Sequence, residues 1–219
     1  MTGDLLFPAC QPRCIRQMAV GDGHILHVEE CGPQDGVPVL FLHGGPGAGC
    51  MSEHRRLFDP ALFRVVMIDQ RGAGRSLPSG ELGANTTLDL VADLDYVREA
   101  LGIHAWIVFG GSWGSLLALA YAQIYPENVL GLVMHGIFLG SREEIVAYSR
   151  DLGKLLPRQE RGDPLAVFAR IILHEHAERA TQAARVWLDY QRNLIGKEPL
   201  DAPPNAMQQA RARDRKSVV

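Results

Sequence analysis

The segment around Ser112 constrains the fold of this chain more than any other part of the sequence. Residues 110–114 read Gly-Gly-Ser-Trp-Gly, directly after the apolar run 106–110 and directly before the apolar run 113–125. Between a strand and a helix, this G-x-S-x-G pattern predicts a sharp turn that raises a nucleophilic serine above a sheet. The alternative, a serine that only caps a helix, leaves the other motifs of the chain without a role. Ser112 is therefore the predicted catalytic residue.

Continuous apolar runs predict a mostly parallel sheet around this turn. They span residues 37–42, 63–69 and 106–110, and a fourth lies within 128–138. Runs without polar alternation are typical of parallel strands buried on both faces. A hairpin is predicted over 16–31, with its turn at Gly21–Gly23, and helices over 86–102 and 113–125. Strands and helices in alternation predict an α/β fold.

Composition excludes several classes of protein. The 219 residues are 47% hydrophobic and 21% charged, which suits one large globular domain or one domain with an insert. A net charge of -3 gives no reason to expect nucleic acid or a membrane surface as partner. No run approaches the roughly 18 apolar residues of a membrane span. The four cysteines lack zinc spacing and indicate free thiols in a cytoplasmic protein, with no metal or cofactor expected.

Two further loops follow predicted strands. The first, His43-Gly44-Gly45-Pro46-Gly47, is predicted to donate the backbone N–H of Gly45 to an oxyanion hole that it shares with the N–H of Trp113. His43 is predicted to be structural, because this fold places its catalytic histidine after the serine. The second loop, residues 69–76, reads DQRGAGRS. It lacks the GK[ST] ending of a phosphate loop, so a turn held by its own charges is the favoured interpretation.

Together, HGGPG, DQRGAGRS and GGSWGS resemble the proline iminopeptidase family of α/β-hydrolases, closely over residues 15–140 and loosely over 141–200. The resemblance implies an α/β-hydrolase fold with a mostly parallel sheet and a helical cap insert. It divides the chain into the N-terminal part of the core (1–140), a partial cap (141–205) and a tail (206–219). It also implies a serine aminopeptidase that releases proline from the N-terminus of short peptides by acyl transfer to Ser112, without a metal.

The cap departs from the family at one position. The resemblance implies that Trp187 and Gln191 bind substrate, but the family has a glutamate where Gln191 stands. A neutral amide loses the charge-assisted bond to the substrate's ammonium group, although Asp189 is a second candidate for that contact. Another α/β-hydrolase activity, such as that of an esterase, therefore stays open.

The end of the chain departs further. The family carries its catalytic Asp and His beyond the point where this chain stops, so we expect a C-terminally truncated, inactive fragment that lacks its last strands and aggregates through an unpaired edge. His174 and His176 stand two residues apart in a helical pattern and face apart, so they predict no metal site. Residues 214–219, DRKSVV, match the translation of a common sequencing adapter and are expected to be non-native. A binding protein that keeps the fold without catalysis is the remaining alternative, and the oligomeric state is not indicated.

Overall fold

A computed structural model describes residues 6–156, 160 and 162–194. Within them, six strands and five α-helices follow in an order typical of an α/β fold. The strands are β1 (Cys14–Gly21), β2 (His24–Cys31), β3 (Val37–Leu42), β4 (Phe63–Asp69), β5 (Trp106–Gly111) and β6 (Val129–His135). The helices are α1 (Thr87–Ala100), α2 (Trp113–Ile124), α3 (Arg142–Leu152), α4 (Pro164–His174) and α5 (Ala177–Leu194).

The six strands form one sheet in the order β1-β2-β4-β3-β5-β6. The hairpin of β1 and β2 is antiparallel and adds to β4 antiparallel, whereas β4, β3, β5 and β6 run parallel. The four predicted apolar runs are the four parallel strands. The predicted fold class, an α/β-hydrolase core with a mostly parallel sheet, is confirmed.

Both faces of β3, β4 and β5 are buried or half-buried over most of their length, which explains their unbroken apolar sequence. Leu40 and Leu42 of β3 belong to a cluster with residues of α1 and α2. Their neighbours Val39 and Phe41 point to the opposite face, because side chains alternate along a strand. That face carries a second cluster, which includes Phe58 at the end of a 3₁₀ helix over Ser52–Leu57.

The predicted start and end of α1 are also confirmed. Thr86 and Asp89 form a capping box: the N–H of Thr86 donates to Asp89 Oδ2 at 2.8 Å, and the N–H of Asp89 donates to Thr86 Oγ1 at 3.3 Å. Gly102 follows the helix with φ +64°, a conformation that favours glycine at a helix end. The Leu90, Leu94 and Val97 side chains are buried in the core, as their spacing predicts.

The helices after residue 141 have a hydrophobic cluster of their own. It joins Leu152, Phe168, Ile171, Ile172 and Trp187 with other residues of α4 and α5. The spacing of Leu165, Phe168, Ile172 and Leu173 predicts that this face of α4 is buried, and the prediction is wrong at one position. Leu173 is 39% exposed, and Ile171 is buried instead. The division into core, cap and tail stays a prediction, and residues 195–219, with the proposed non-native end, lie outside the described residues.

Apolar residues lie exposed at one edge of the described sheet. β6 is the last strand there, and its Leu130 and Val133 are 61% and 45% exposed. The apolar sequence of 113–125 predicts a helix buried all round, and this is wrong at the end of α2, where Ile124 is 46% exposed. None of the helices in the described part combines the length and apolar character needed to cross a membrane.

The loop after β4 is held by buried charges, as the sequence predicts. Arg71 is 5% exposed and donates to both carboxylate oxygens of Asp93 at 2.7 Å. It also donates to Asp22 in the β1–β2 turn and to the carbonyl oxygen of Ala84. The hydrogen bonds to Asp93 raise the pKa of Arg71, so this guanidinium stays charged and ties the loop to both α1 and the hairpin.

We expect replacement of this guanidinium to destabilise the fold strongly. Arg71→Met leaves the buried Asp93 carboxylate without its partner, and the free energy of unfolding should fall by about 3–5 kcal/mol. Urea denaturation measures the change. Arg170→Met is the matched control, because Arg170 pairs with Glu175 on the surface and should contribute less than about 1 kcal/mol. Equal losses in the two variants would contradict the assignment.

Candidate active site

Ser112 occupies a strained turn between β5 and α2. Its backbone has φ +53° and ψ -122°, and the residue is exposed at the carboxyl end of β5. A non-glycine residue in this region costs on the order of 1–3 kcal/mol, so surrounding contacts have to hold it. The predicted strand–turn–helix setting of Ser112 is therefore present, and its role as nucleophile stays a prediction.

Glycines allow the strand and the helix to meet at this turn. A methyl group on Gly114 would lie 2.3 Å from the carbonyl oxygen of Leu42, at the end of β3. A methyl group on Gly110 would lie 2.2 Å from the carbonyl oxygen of Gly114. Neither approach is possible with a side chain, which is why the motif has glycine on both sides of Ser112.

The end of β6 supports the turn from the other side. The N–H of Ser112 donates to the carbonyl oxygen of His135 at 3.1 Å. Ser115 donates through Oγ to the carbonyl oxygen of Ser112 at 2.6 Å and accepts from the N–H of Phe138 at 2.9 Å. The His135 imidazole lies over Gly111, where a methyl group would meet Nε2 at 2.2 Å. Sequence reasoning missed His135, although a polar residue ending the strand after the serine strand was an available signal.

The loop after β3 lies beside Ser112. A methyl group on Gly44 would be 3.4 Å from the Cβ atom of Ser112 and 3.2 Å from the carbonyl oxygen of Gly111. Gly45 follows with φ +129°, a conformation that favours glycine. The structure thus brings the loop of Gly45 together with Ser112 and with Trp113 at the start of α2. The role of the two N–H groups as oxyanion donors stays a prediction.

His43 is engaged through both ring nitrogens. Nδ1 lies 2.9 Å from the carbonyl oxygen of Gly44, and Nε2 lies 3.1 Å from the backbone nitrogen of Gln70. A carbonyl accepts and a backbone N–H donates, so the proton sits on Nδ1 and Nε2 accepts. His43 is 1% exposed. It holds the loop in place and has no nitrogen left to act as a base on Ser112.

Asp69, the last residue of β4, accepts hydrogen bonds from two neighbouring loops. Its Oδ1 accepts from the N–H of Cys50 at 2.6 Å, and its Oδ2 accepts from the N–H and Nε of Arg75 at 2.9 Å. Burial alone would raise the pKa of Asp69, but the electrostatic interaction with His43, together with the hydrogen bonds from Arg75 and Cys50, outweighs it and holds the pKa below its ordinary value. The same holds for the pKa of Glu29, which is buried beside Arg55 and Arg75.

The predicted substrate-binding residues lie on α5, in the cluster of the C-terminal helices. Trp187 is 1% exposed and packs edge-on against Phe168 at 5.5 Å between ring centroids. No described residue accepts a hydrogen bond from its indole N–H. The amide N–H of Gln191 donates to the hydroxyl oxygen of Tyr148, while its buried Oε1 accepts from none of the described residues. A buried donor and a buried acceptor thus stand unpaired one helical turn apart.

Among the described residues there is no group of three or more His, Cys, Asp and Glu side chains arranged to hold a metal ion. All eight histidines of the chain lie in that part, and none is hydrogen-bonded to Ser112 Oγ. The described residues therefore place the exposed hydroxyl group of Ser112 beside a glycine-rich loop, with no histidine hydrogen-bonded to it.

Comparison with known proteins agrees with this geometry. A family model described as the alpha/beta hydrolase fold matches residues 37–210. Proline iminopeptidases from Neisseria meningitidis and Xylella fastidiosa are each 44% identical, over 90% and 83% of this chain. A crystal structure of a proline iminopeptidase-related protein from Thermus thermophilus has 27% identity and a TM-score of 0.55, and covers 83% of this chain. The chain spans 67%, 62% and 66% of these three proteins, about two thirds or less of each.

We expect stability to fall in acid. The pKa values of Asp69, Glu29 and Glu30 are lowered in the folded protein, so their contribution is fully present above the pKa of the unfolded chain. It is lost as the pH drops below about 4.5 toward the folded values. Urea denaturation between pH 7 and pH 3 measures the effect, and Glu29→Gln should flatten the curve. A wild-type free energy of unfolding that does not change over this range would contradict the prediction.

Ser112→Gly should stabilise the protein while removing the hydroxyl group. Glycine adopts a positive φ without strain, and the gain exceeds its entropic cost, which leaves about 1 kcal/mol. Ser112→Ala is the matched control, since it removes the same hydroxyl and keeps the strain. Thermal and urea unfolding of both variants would show the difference. A glycine variant no more stable than the alanine variant would mean that the turn stores no strain.

Proposed function

Because this chain belongs to the proline iminopeptidase family of α/β-hydrolases, we propose that its site transfers the acyl group of a peptide's N-terminal residue to Ser112. The observation that carries the proposal is the exposed, strained Ser112 with the Gly44–Gly45 loop packed beside it. Attack of Oγ on the carbonyl carbon forms a tetrahedral intermediate. The N–H groups of Gly45 and Trp113 stabilise its oxyanion, and collapse releases the shortened peptide as an amine.

The proposed substrates are short peptides with N-terminal proline. The names of the curated relatives support this class. Gln191 and Trp187 on α5 stay the proposed substrate contacts, with the Oε1 of Gln191 accepting a neutral hydrogen bond from the amino group. The four free thiols agree with a cytoplasmic protein that acts on such peptides.

Proton transfer is the step that the described residues do not supply. A serine hydroxyl is a weak nucleophile at neutral pH unless a base takes its proton. Ser112 Oγ has no hydrogen bond to any histidine of the chain. In this fold the acid and the histidine follow later strands, in the order Ser, Asp or Glu, His. We therefore propose that the 219-residue chain forms an acyl-enzyme only slowly and with activated substrates.

A second candidate, the hydrolysis of simple esters, is favoured by Gln191. An amide is neutral, so it adds no charge-assisted bond to an ammonium group. If the amino group adds little to the free energy of substrate binding, the site should also accept an acyl group that lacks an amino group. The two candidates share Ser112 and the oxyanion donors, and they differ in the acyl group that reacts faster.

The test compares prolyl and acetyl para-nitrophenyl esters. Mass spectrometry of the digested protein should show a prolyl group on the peptide that contains Ser112, and the prolyl ester should react faster. Ser112→Ala should lower the acylation rate at least about a thousandfold. Ser79→Ala is the control, because Ser79 is an exposed serine outside the site.

A faster reaction with the acetyl ester than with the prolyl ester would favour the esterase activity over the aminopeptidase activity. Equal labelling of wild type and Ser112→Ala, or no labelling with either ester, would contradict acyl transfer to Ser112 altogether.

A further inference from the structure

The side chain of Gln70 connects the loop after β3 to the start of α2. Its Oε1 accepts from the indole N–H of Trp113 at 3.0 Å, and its Nε2 donates to the carbonyl oxygen of His43 at 3.1 Å. The backbone N–H of Gln70 also donates to Nε2 of His43 at 3.1 Å. We refer to these three hydrogen bonds as the Gln70 bridge.

The Gln70 bridge is shielded from water. Gln70, His43 and Trp113 are 3%, 1% and 2% exposed. A hydrogen bond in such surroundings is stronger than one on the surface, and an unpaired buried group is costly. An amide side chain presents a donor and an acceptor together at this length, so glutamine makes both contacts, whereas leucine makes neither and an ionised glutamate can only accept.

Both partners of Gln70 adjoin the residues of the candidate site in the sequence. His43 is followed by Gly44 and Gly45, and Trp113 directly follows Ser112. The bridge therefore links the two segments whose N–H groups are the proposed oxyanion donors. A pair of donors stabilises an oxyanion only when both already point to one position, so their separation has to be fixed before the reaction.

We propose that Gln70 is a positioning residue that sets the distance between the N–H groups of Gly45 and Trp113. The proposal rests on the proposed acyl transfer to Ser112, since that reaction gives the two donors their role. Gln70 itself acts through His43 and Trp113. Its loss should weaken binding of a tetrahedral, oxyanion-bearing ligand more than binding of a planar one.

Three variants separate this role from general stability. Gln70→Met keeps a similar volume and removes both amide contacts. Gln70→Glu keeps the acceptor for the Trp113 indole and removes the donor to the carbonyl oxygen of His43. Asn128→Ala is the matched control. Asn128 is another buried amide, 8% exposed, and it donates to Asp95 Oδ1 at 2.9 Å. It lies beyond the C-terminal end of α2, whereas Ser112 precedes the helix.

The first measurement is hydrogen exchange of the backbone amides of residues 44, 45 and 47–49. We expect exchange about tenfold faster or more in Gln70→Met and in Gln70→Glu, and no change in Asn128→Ala beyond its effect on global unfolding. The indole N–H resonance of Trp113 should move in Gln70→Met and stay near its wild-type position in Gln70→Glu. Unchanged exchange in Gln70→Met would overturn the bridge, whatever the activity of the protein.

The second measurement compares two ligands of the full chain. Prolineboronic acid forms a tetrahedral adduct with a serine hydroxyl, whereas prolinamide keeps a planar carbonyl. In Gln70→Met we expect the affinity for the boronic acid to fall about tenfold or more, and the affinity for prolinamide to change less than about twofold. Asn128→Ala should leave both affinities unchanged.

The outcomes distinguish the two proposals. Parallel loss of both ligands in Gln70→Met would overturn the positioning role and leave acyl transfer intact. If wild type fails to bind the boronic acid at Ser112, the proposed function fails and the positioning role fails with it. Faster loop exchange together with selective loss of the boronic acid supports both.

Discussion

The positive φ of Ser112 requires the strands and the helix around it to meet at one strained turn. A serine keeps this conformation only if neighbouring groups hold it, and four elements do so. β5 leads into the turn, α2 begins within it, β3 ends against Gly114, and the carbonyl oxygen of His135 at the end of β6 accepts the N–H of Ser112. The sheet is therefore ordered so that the carboxyl ends of its parallel strands converge on one exposed hydroxyl group.

Buried charges fix the surroundings of this turn. Asp69 and Arg75 close the loop after β4, and Arg71 ties that loop to Asp93 on α1. Because these groups are shielded from water, each carboxylate has a guanidinium partner, and the loop holds one shape. Gln70 lies between Asp69 and Arg71, so the same rigid loop presents its amide to His43 and Trp113. Charge pairing thus contributes to the site without entering the reaction.

Much of this was predictable from short-range patterns. The parallel strands were visible because burial on both faces removes polar alternation, and the start of α1 was visible because Thr86 and Asp89 bond to each other across three residues. Contacts between distant segments were not predictable. Gln70 forms hydrogen bonds with residues 27 and 43 positions away in the chain, and no periodic pattern in the sequence indicates such contacts. The exact buried face of α4 was not predictable either, because packing against α5 buries Ile171 and leaves Leu173 exposed. The substrate-binding role of Trp187 and Gln191 is a proposal, since it depends on how a ligand meets their unpaired groups.

A crystal structure of the chain with a prolyl boronic acid would show whether Ser112 and the two backbone N–H groups act together. We expect a covalent bond between boron and Ser112 Oγ. We also expect one boronate oxygen about 2.7–3.1 Å from the backbone nitrogens of both Gly45 and Trp113. A boronate bound at another residue, or one bonded to Ser112 with its oxygens turned away from these two nitrogens, would contradict this expectation.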